Sequence, residues 1–386
     1  MFFKNNGSIL MISIVLKDRV KPYLWLKTFL AMVGDKVKAH SILIILCLIF
    51  FITSFGMNYS FGQEMGSKAG PYLGFIFGFI LPLAFAASLV LVFFYLLLIK
   101  RPDSPAKALI AIYRPLLIDP QRYANAISII GCLMLAFIAF ADMKPLIPML
   151  NPFSWDENFM RLDRLLHFGQ DPWRLLDPIL GHPVITQWIN YVYNIWFVIM
   201  FSFWISAALS TKTHTEHAST KSWERQFLLS FLLVWIIGGI MFATIFSSMG
   251  PAFYDLVDPI NNPFAPQIAS LNAIHDTHLL WAVDSHAMLR DAYLNPAPGK
   301  LSGISAMPSI HNATSTIFML AAYRIHRKFG HIMLAFLICI LVGSVHLAWH
   351  YAVDAYAGII IAIILWKFTA ALLSWQDKIL PPETAT

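Results

Sequence analysis

Two histidines and an aspartate recur at four-residue spacing in "GSVHLAWHYAVDAYAG", Gly343–Gly358: His346, His350 and Asp354. Residues four apart share one face of a helix. If the helix runs on through Tyr351, the His350 ring and the Asp354 carboxylate meet. A carboxylate bonded to one ring nitrogen fixes the tautomer and leaves the other nitrogen as a nucleophile or base. His346 lies one turn deeper. The surrounding stretch is apolar, and an ionisable group in such a segment is costly enough to mark a site. Two other roles suit the same residues. They can cap a span end near the headgroups, or two imidazoles and a carboxylate can ligate a metal, although no further cysteine or glutamate accompanies them.

A second constellation lies upstream in "GISAMPSIHNATS", Gly303–Ser315. Pro308 suits a first helical turn, where its missing N–H costs nothing. The N–H groups of Ser309, Ile310 and His311 then point out of a helix start, beside the hydroxyls of Ser305 and Ser309. Such a start binds anions, and phosphate is its usual occupant. His311 stands beside it as a proton donor. An ordinary helix start with a serine would leave that histidine without a purpose.

These residues need elements to hold them, and the composition says of what kind. The chain has 386 residues, of which 58% are hydrophobic and 12% charged, with mean hydropathy +0.65. Soluble domains carry about 25% charged residues, so the bilayer is the solvent here. A span needs about 20 mostly apolar residues. Eight stretches qualify, roughly 40–60, 71–99, 123–142, 184–210, 227–248, 309–325, 331–351 and 353–374. The fold expected is therefore all-α: a polytopic membrane bundle of about eight transmembrane helices with a six-helix catalytic core, plus interfacial helices. The apolar run Ile9–Leu16 is short and lacks a small-residue cleavage pattern, so no secretory signal is expected. Cys47, Cys132 and Cys339 fall within spans and read as apolar fillers. The net charge of +6 does not indicate nucleic acid, because no basic stripe alternates with aromatics.

The cations report topology instead, since short cytoplasmic loops keep the lysines and arginines. Lys4, Lys17, Arg19, Lys21, Lys27, Lys36 and Lys38 precede the first span. Lys100, Arg101, Lys107, Arg114 and Arg122 follow the second, Lys212, Lys221 and Arg225 the fourth, and Arg324, Arg327 and Lys328 the sixth. Other connections are neutral or acidic, as with Asp255, Asp258, Asp276, Asp284 and Asp291. This alternation places both termini inside, and brings His311 and His350 to the same outer surface. Residues 143–183 and 249–308 are long outer connections whose helical patches and tryptophans suit surface helices, and Pro22–Val33 suits one on the inside. In "RLDRLLHFGQDPW", Asp163, and Asp156 just before it, could receive a polar headgroup such as a polyol, but are expected to lie on a solvated helix face. Asn190, Tyr191 and Tyr193 open the fourth span as cavity lining or as interfacial belt.

The pair "AMPSIH" and "HLAWHYAVD" resembles the second and third motifs of the type 2 phosphatidic acid phosphatase superfamily, most closely its inositol phosphorylceramide synthase-like branch. There the motifs read Pro-Ser-x-His and His-Tyr-x-x-Asp. "SSMGPAFY", Ser247–Tyr254, is similar to a Pro-rich segment ahead of the second motif. The resemblance is strong over about 245–365, weaker over 150–245, and absent from the first 120 residues. It divides the chain into an N-terminal inner segment with two extra spans (1–120), a catalytic membrane core (121–375) and a tail (376–386) containing Pro381 and Pro382.

The resemblance implies roles by position. His350 attacks phosphorus, Asp354 orients it, and His311 protonates the leaving oxygen. Ser309, with Ser305, His346, Tyr254 and Arg290, contacts substrate. The implied reaction is metal-independent transfer of a phospho-headgroup or phosphoryl group to a lipid alcohol through a phosphohistidine, with no cofactor; the partners are lipid substrates and the bilayer. Hydrolysis of a lipid phosphate is the alternative, and a proton-coupled transporter or a non-catalytic scaffold are more distant ones. Two departures stand out. Gly343, Ser344 and Val345 occupy the region where the wider superfamily has an arginine. "KALIAIYRP", Lys107–Pro115, spells the first motif but lies far upstream and on the inner face, and reads as a basic interfacial helix. The cations for phosphate are then sought among Arg161, Arg164, Arg290 and Lys300.

Overall fold

The computed structural model describes residues 22–66, 70, 74, 78–79, 81–210, 223–296 and 303–379. Among them the secondary structure is helical, with no strand. Most of residues 71–80, Lys4, Lys17, Arg19, Lys21, Lys212, Lys221, Lys300 and the Pro381–Pro382 tail lie outside the described residues.

Helices α1 (Pro22–Ala39), α2 (Ser41–Ser60), α3 (Leu81–Tyr95, extended by a π turn Leu96–Lys100) and α4 (Pro105–Ile118) come first. α5 (Pro120–Met143) continues through a 3-10 turn, Lys144–Leu146, to a last turn at Leu150. Two short helices follow, α6 (Asp156–Leu166) and α7 (Pro172–Leu180), then α8 (Pro183–Ala208). α9 (Trp223–Leu233) widens into a π segment, Val234–Phe242, before ending at Ile245. A 3-10 turn at Pro251–Leu256 leads to α10 (Ala265–His275) and α11 (Trp281–Leu294). The chain closes with α12 (Ile310–Ile325), α13 (Arg327–His346) and α14 (Ala352–Ile379).

Among the described residues, six helices are long and apolar enough to cross a bilayer: Ser41–Ser60, Pro120–Leu150, Pro183–Ala208, Trp223–Ile245, Arg327–His346 and Ala352–Ile379. The other two of the eight expected spans differ. Among the described residues of the 71–99 stretch there is the shorter apolar helix Ser88–Leu98, and α12 has 16 residues. At 1.5 Å per residue α12 reaches about 24 Å, less than a hydrocarbon core of about 30 Å. Ahead of it, Ile304 and Ala306–Ser309 are buried.

Local chemistry explains several boundaries. Asp119 caps α5 by accepting from the Gln121 N–H at 3.0 Å, with Pro120 in the first turn. His326 caps α13 through the Lys328 N–H at 3.1 Å. Ser309 caps α12. That helix packs against α8, α9, α13 and α14 at once. It accordingly buries Ser309, Asn312, Thr314, Ser315 and Thr316 completely, an unusual run of polar residues for a bundle centre. Asn312 donates to the Ser309 hydroxyl at 3.0 Å and the Ser344 hydroxyl at 3.2 Å, and Thr316 donates to the Asn312 carbonyl at 2.8 Å. Each bond offsets the cost of burying a polar group away from water. Gly358 lets α14 approach, since a Cβ there would lie 2.5 Å from the Ser309 carbonyl oxygen.

Candidate active site

The helix carrying His346 does not run on through Tyr351. α13 stops at His346, the chain turns through Leu347–Tyr351 with Ala348 at φ 60°, and α14 starts at Ala352. The N–H groups of Trp349 and His350 both donate to the Ser344 carbonyl at 3.0 Å, which closes the turn. The three residues therefore sit on a helix end, a turn and a new helix start. This break separates His346 from the others. Its Nε2 lies 3.0 Å from the Thr186 hydroxyl on α8, and that hydroxyl donates to the Leu180 carbonyl.

The same turn brings His350 back over the approach to α12. His350 Nδ1 is 2.9 Å from the Ala306 carbonyl oxygen and 3.4 Å from Asp354 Oδ2. A carbonyl only accepts, so Nδ1 carries the proton and Nε2 is left with its lone pair. Nε2 has no hydrogen-bond partner among the described residues. Asp354, fully buried, accepts from the Tyr351 N–H at 2.9 Å and thereby shapes the turn. Its own carbonyl accepts from the Ser309 N–H at 2.9 Å, tying α14 to the α12 start. The expected pairing of His350 with Asp354 is thus joined by a shorter bond to Ala306. Burial is the main force holding the His350 imidazole low, at about 3, with the charge of Lys144 adding to it and the Ala306 bond opposing.

His311 lies within electrostatic reach of both His350 and Lys144. Its ring sits in an aromatic box, stacked on Tyr193 at 4.8 Å and 16° and tilted against Trp196 at 4.2 Å and 34°, with Phe197 edge-on at 6.2 Å. Trp196 is held in turn by its indole N–H on the Thr314 hydroxyl at 3.0 Å. Such a box fixes the ring plane. Of the residues expected to open α8, Tyr193 is this wall, Asn190 is buried and accepts from the Ala282 N–H at 3.1 Å, and Tyr191 packs beside Trp281. At the α12 start the Ile310 and His311 N–H groups have no backbone acceptor among the described residues.

Ser309 is fully buried at the helix start, while Ser305 is half-buried beside Ala306. Tyr254 is buried against Phe264, with ring centroids 5.3 Å apart. Arg290 is committed to Asp255 through two bonds of 2.9 and 2.7 Å, Arg161 to Glu157, and Arg164 to Asp171 at 2.6 and 3.1 Å. A cation outside the four named from the sequence lies at the end of α5. Lys144 acts electrostatically on both rings, and Gly303 makes room for its stem, since a Cβ there would meet Lys144 Cγ at 2.8 Å. No carboxylate pairs with Lys144 among the described residues.

The solvated face expected for Asp156 and Asp163 is overturned. They are 0% and 2% exposed and point into the protein. Asp156 accepts from the Met249 and Gly250 N–H groups and from the Tyr351 hydroxyl, while Asp163 accepts from the Ala352 and Val353 N–H groups. Burial raises both carboxyls, Asp163 to about 7, chiefly by desolvation and against its two backbone bonds. Among the described residues, no group of three or more His, Cys, Asp or Glu side chains is placed to hold a metal ion.

No curated protein and no solved structure matches the chain. A family model does, over residues 157–368, which is more than half of the sequence and takes in α8 to α13, both histidines and Asp354. Six apolar helices around a paired-histidine site and this match together make the chain a member of the PAP2 superfamily, consistent with a lipid phosphatase or phosphotransferase.

Proposed function

We propose that the protein transfers a phospho-headgroup or phosphoryl group from one lipid to the hydroxyl of another, by way of a phosphohistidine on His350. The observation that carries this reading is the His350 ring, with Nδ1 bonded to the Ala306 carbonyl and Nε2 without a hydrogen-bond partner among the described residues, together with the open N–H groups of Ile310 and His311 at the α12 start. The Nε2 lone pair forms the N–P bond as the bond from phosphorus to the leaving oxygen breaks. His311 delivers a proton to that oxygen. An acceptor hydroxyl then attacks phosphorus, gives its proton back to His311, and frees His350. Splitting the transfer lets each half use one buried nucleophile or one activated hydroxyl. Lys144 and the α12 start supply fixed positive charge where it develops on the phosphoryl oxygens. Asp354 shapes the turn that aims His350. The reaction as written needs no metal ion. The paired motifs, which resemble the inositol phosphorylceramide synthase-like branch, favour transfer over hydrolysis. The loop charges set the site at the outer, periplasmic or lumenal face with both termini cytoplasmic.

The test is incubation of the purified protein in liposomes with candidate phospholipids, with and without ceramide, diacylglycerol or a polyprenol. A new phospholipid that requires the alcohol is the expected product. Free phosphate formed regardless of the alcohol would instead make the protein a phosphatase. Retention of activity in both His311→Ala and His350→Ala would reject the site.

A further inference from the structure

Nothing in the proposed reaction uses α6, yet its two aspartates reach into the catalytic turn. They sit seven residues apart, two helical turns, so both face inward while Glu157, Arg161, Leu165 and Leu166 face out. The upper carboxylate, Asp156, takes four bonds. The Met249 N–H approaches its two oxygens at 3.0 and 2.9 Å, the Gly250 N–H at 2.8 Å and the Tyr351 hydroxyl at 2.9 Å. The lower one, Asp163, takes the Ala352 N–H at 2.8 Å and the Val353 N–H at 2.9 Å. Those two N–H groups are the orphan donors at the start of α14. That helix end is therefore filled by a protein carboxylate, whereas the start of α12 is not.

The bonded partners are not random. Tyr351 follows His350 directly, and Ala352 and Val353 separate it from Asp354. Ser248, the neighbour of Met249, accepts the Ala306 N–H at 3.0 Å through its carbonyl, and its hydroxyl accepts the Met307 N–H at 3.2 Å. Ala306 is the residue whose carbonyl holds His350 Nδ1. Gly250 closes the frame at φ 92°, where a Cβ would lie 3.0 Å from both Ala306 Cβ and the Trp349 carbonyl oxygen. One short helix thus grips both sides of the nucleophile's mount, the Met249–Gly250 turn and the α14 start. Fully desolvated carboxylates accepting several N–H or O–H bonds are stiff anchors, because removing one leaves buried donors unpaired.

Resting on the proposed reaction at His350, we infer that Asp156 and Asp163 are positioning residues: a two-carboxylate clamp on α6 that sets the direction of the His350 ring without touching substrate. The clamp acts on orientation, so its loss lowers turnover more than substrate affinity. Tyr351→Phe removes one hydroxyl and keeps the ring, and Asp163→Asn keeps the side-chain shape while turning an acceptor towards a donor clash.

The experiment measures kcat and KM for Tyr351→Phe, Asp163→Asn, Asp156→Asn and the double variant Asp156→Asn with Tyr351→Phe, in liposomes with the lipid pair turned over by the wild type, alongside hydrogen–deuterium exchange over residues 345–354. Expected is a fall in kcat of about 10- to 100-fold with KM changed less than about 3-fold, and faster exchange at Ala352 and Val353 in Asp163→Asn. The double variant should lose less than the product of its single losses, because both remove one bond. Unchanged kcat in Tyr351→Phe and Asp163→Asn overturns the clamp, as does a rise in KM with kcat intact. Should Asp163→Asn fail to fold, Tyr351→Phe alone decides by its kcat. A wild type that turns over no lipid pair but shows the exchange pattern refutes the proposed reaction while leaving the clamp as a structural fact without the inferred role, which overturns the inference as well.

Discussion

His350 must be uncharged to attack phosphorus, and its surroundings favour that state. Burial holds its value to about 3, so the lone pair is available across the physiological range. His286, on α11 and outside the spans, is held to about 3 by burial as well, its ring 4.2 Å from Trp349. Both have an ordinary value of 6.5 once unfolded. Between these limits the unfolded chain binds the extra proton, so stability falls as pH drops from about 6.5 towards 3. Melting temperature measured in detergent from pH 7.5 to 4.5 should fall, and His286→Phe should flatten that slope. Lys144 is tested through charge: Lys144→Ala should lower kcat/KM about 100-fold, with part recovered in Lys144→Arg. An unchanged value would remove Lys144 from the proposed mechanism.

At the level of elements, the site depends on how closely α12 and α14 approach. The Ser309 N–H to Asp354 carbonyl bond at 2.9 Å works only because Gly358 has no side chain. In Gly358→Ala the new methyl would meet the Ser309 carbonyl oxygen, a backbone atom that cannot swing aside. A stability loss of about 1–3 kcal/mol is expected, with turnover falling further than the loss of folded protein explains. Gly131 on α5 is the control, since nothing lies within 4 Å of its Cβ position. Gly131→Ala should leave melting temperature and turnover intact or gain slightly from helix propensity. The π segment of α9 has a similar duty. Gly239 there faces Phe140 at 2.6 Å and Ile310 at 3.3 Å from its Cβ position, so a widened, side-chain-free stretch admits both neighbours.

For the molecule as a whole, the proposed topology makes the two ends of α13 face opposite compartments. Phe168, 94% exposed in the α6–α7 turn, belongs to the site end, and Arg327 starts α13 at the other. In a variant with Cys47, Cys132 and Cys339 replaced by serine or alanine, Phe168→Cys in intact cells should react with a membrane-impermeant maleimide. Arg327→Cys should react only after permeabilisation. The reverse pattern would invert the proposed orientation and place the chemistry inside.

The membrane class, the helical fold and the two histidine motifs were legible in the chain, because bilayer spans are written in runs of apolar residues and the motifs are short and local. Loop charge alternation likewise gave the expectation that His311 and His350 share one membrane surface. What the sequence could not decide was how the chain departs from a helix. Spacing of four promised one continuous face for His346, His350 and Asp354, but Ala348 turns the backbone to positive φ and sends His346 to Thr186. Asp156 and Asp163 read as solvated because their partners are backbone N–H groups and one tyrosine hydroxyl, about 90 to 195 residues away, and donors so distant leave no local sequence signature. Lys144 became a candidate only when packing brought the end of α5 within electrostatic reach of both rings. Periodicity records which residues avoid water; only tertiary packing decides which buried polar groups find one another.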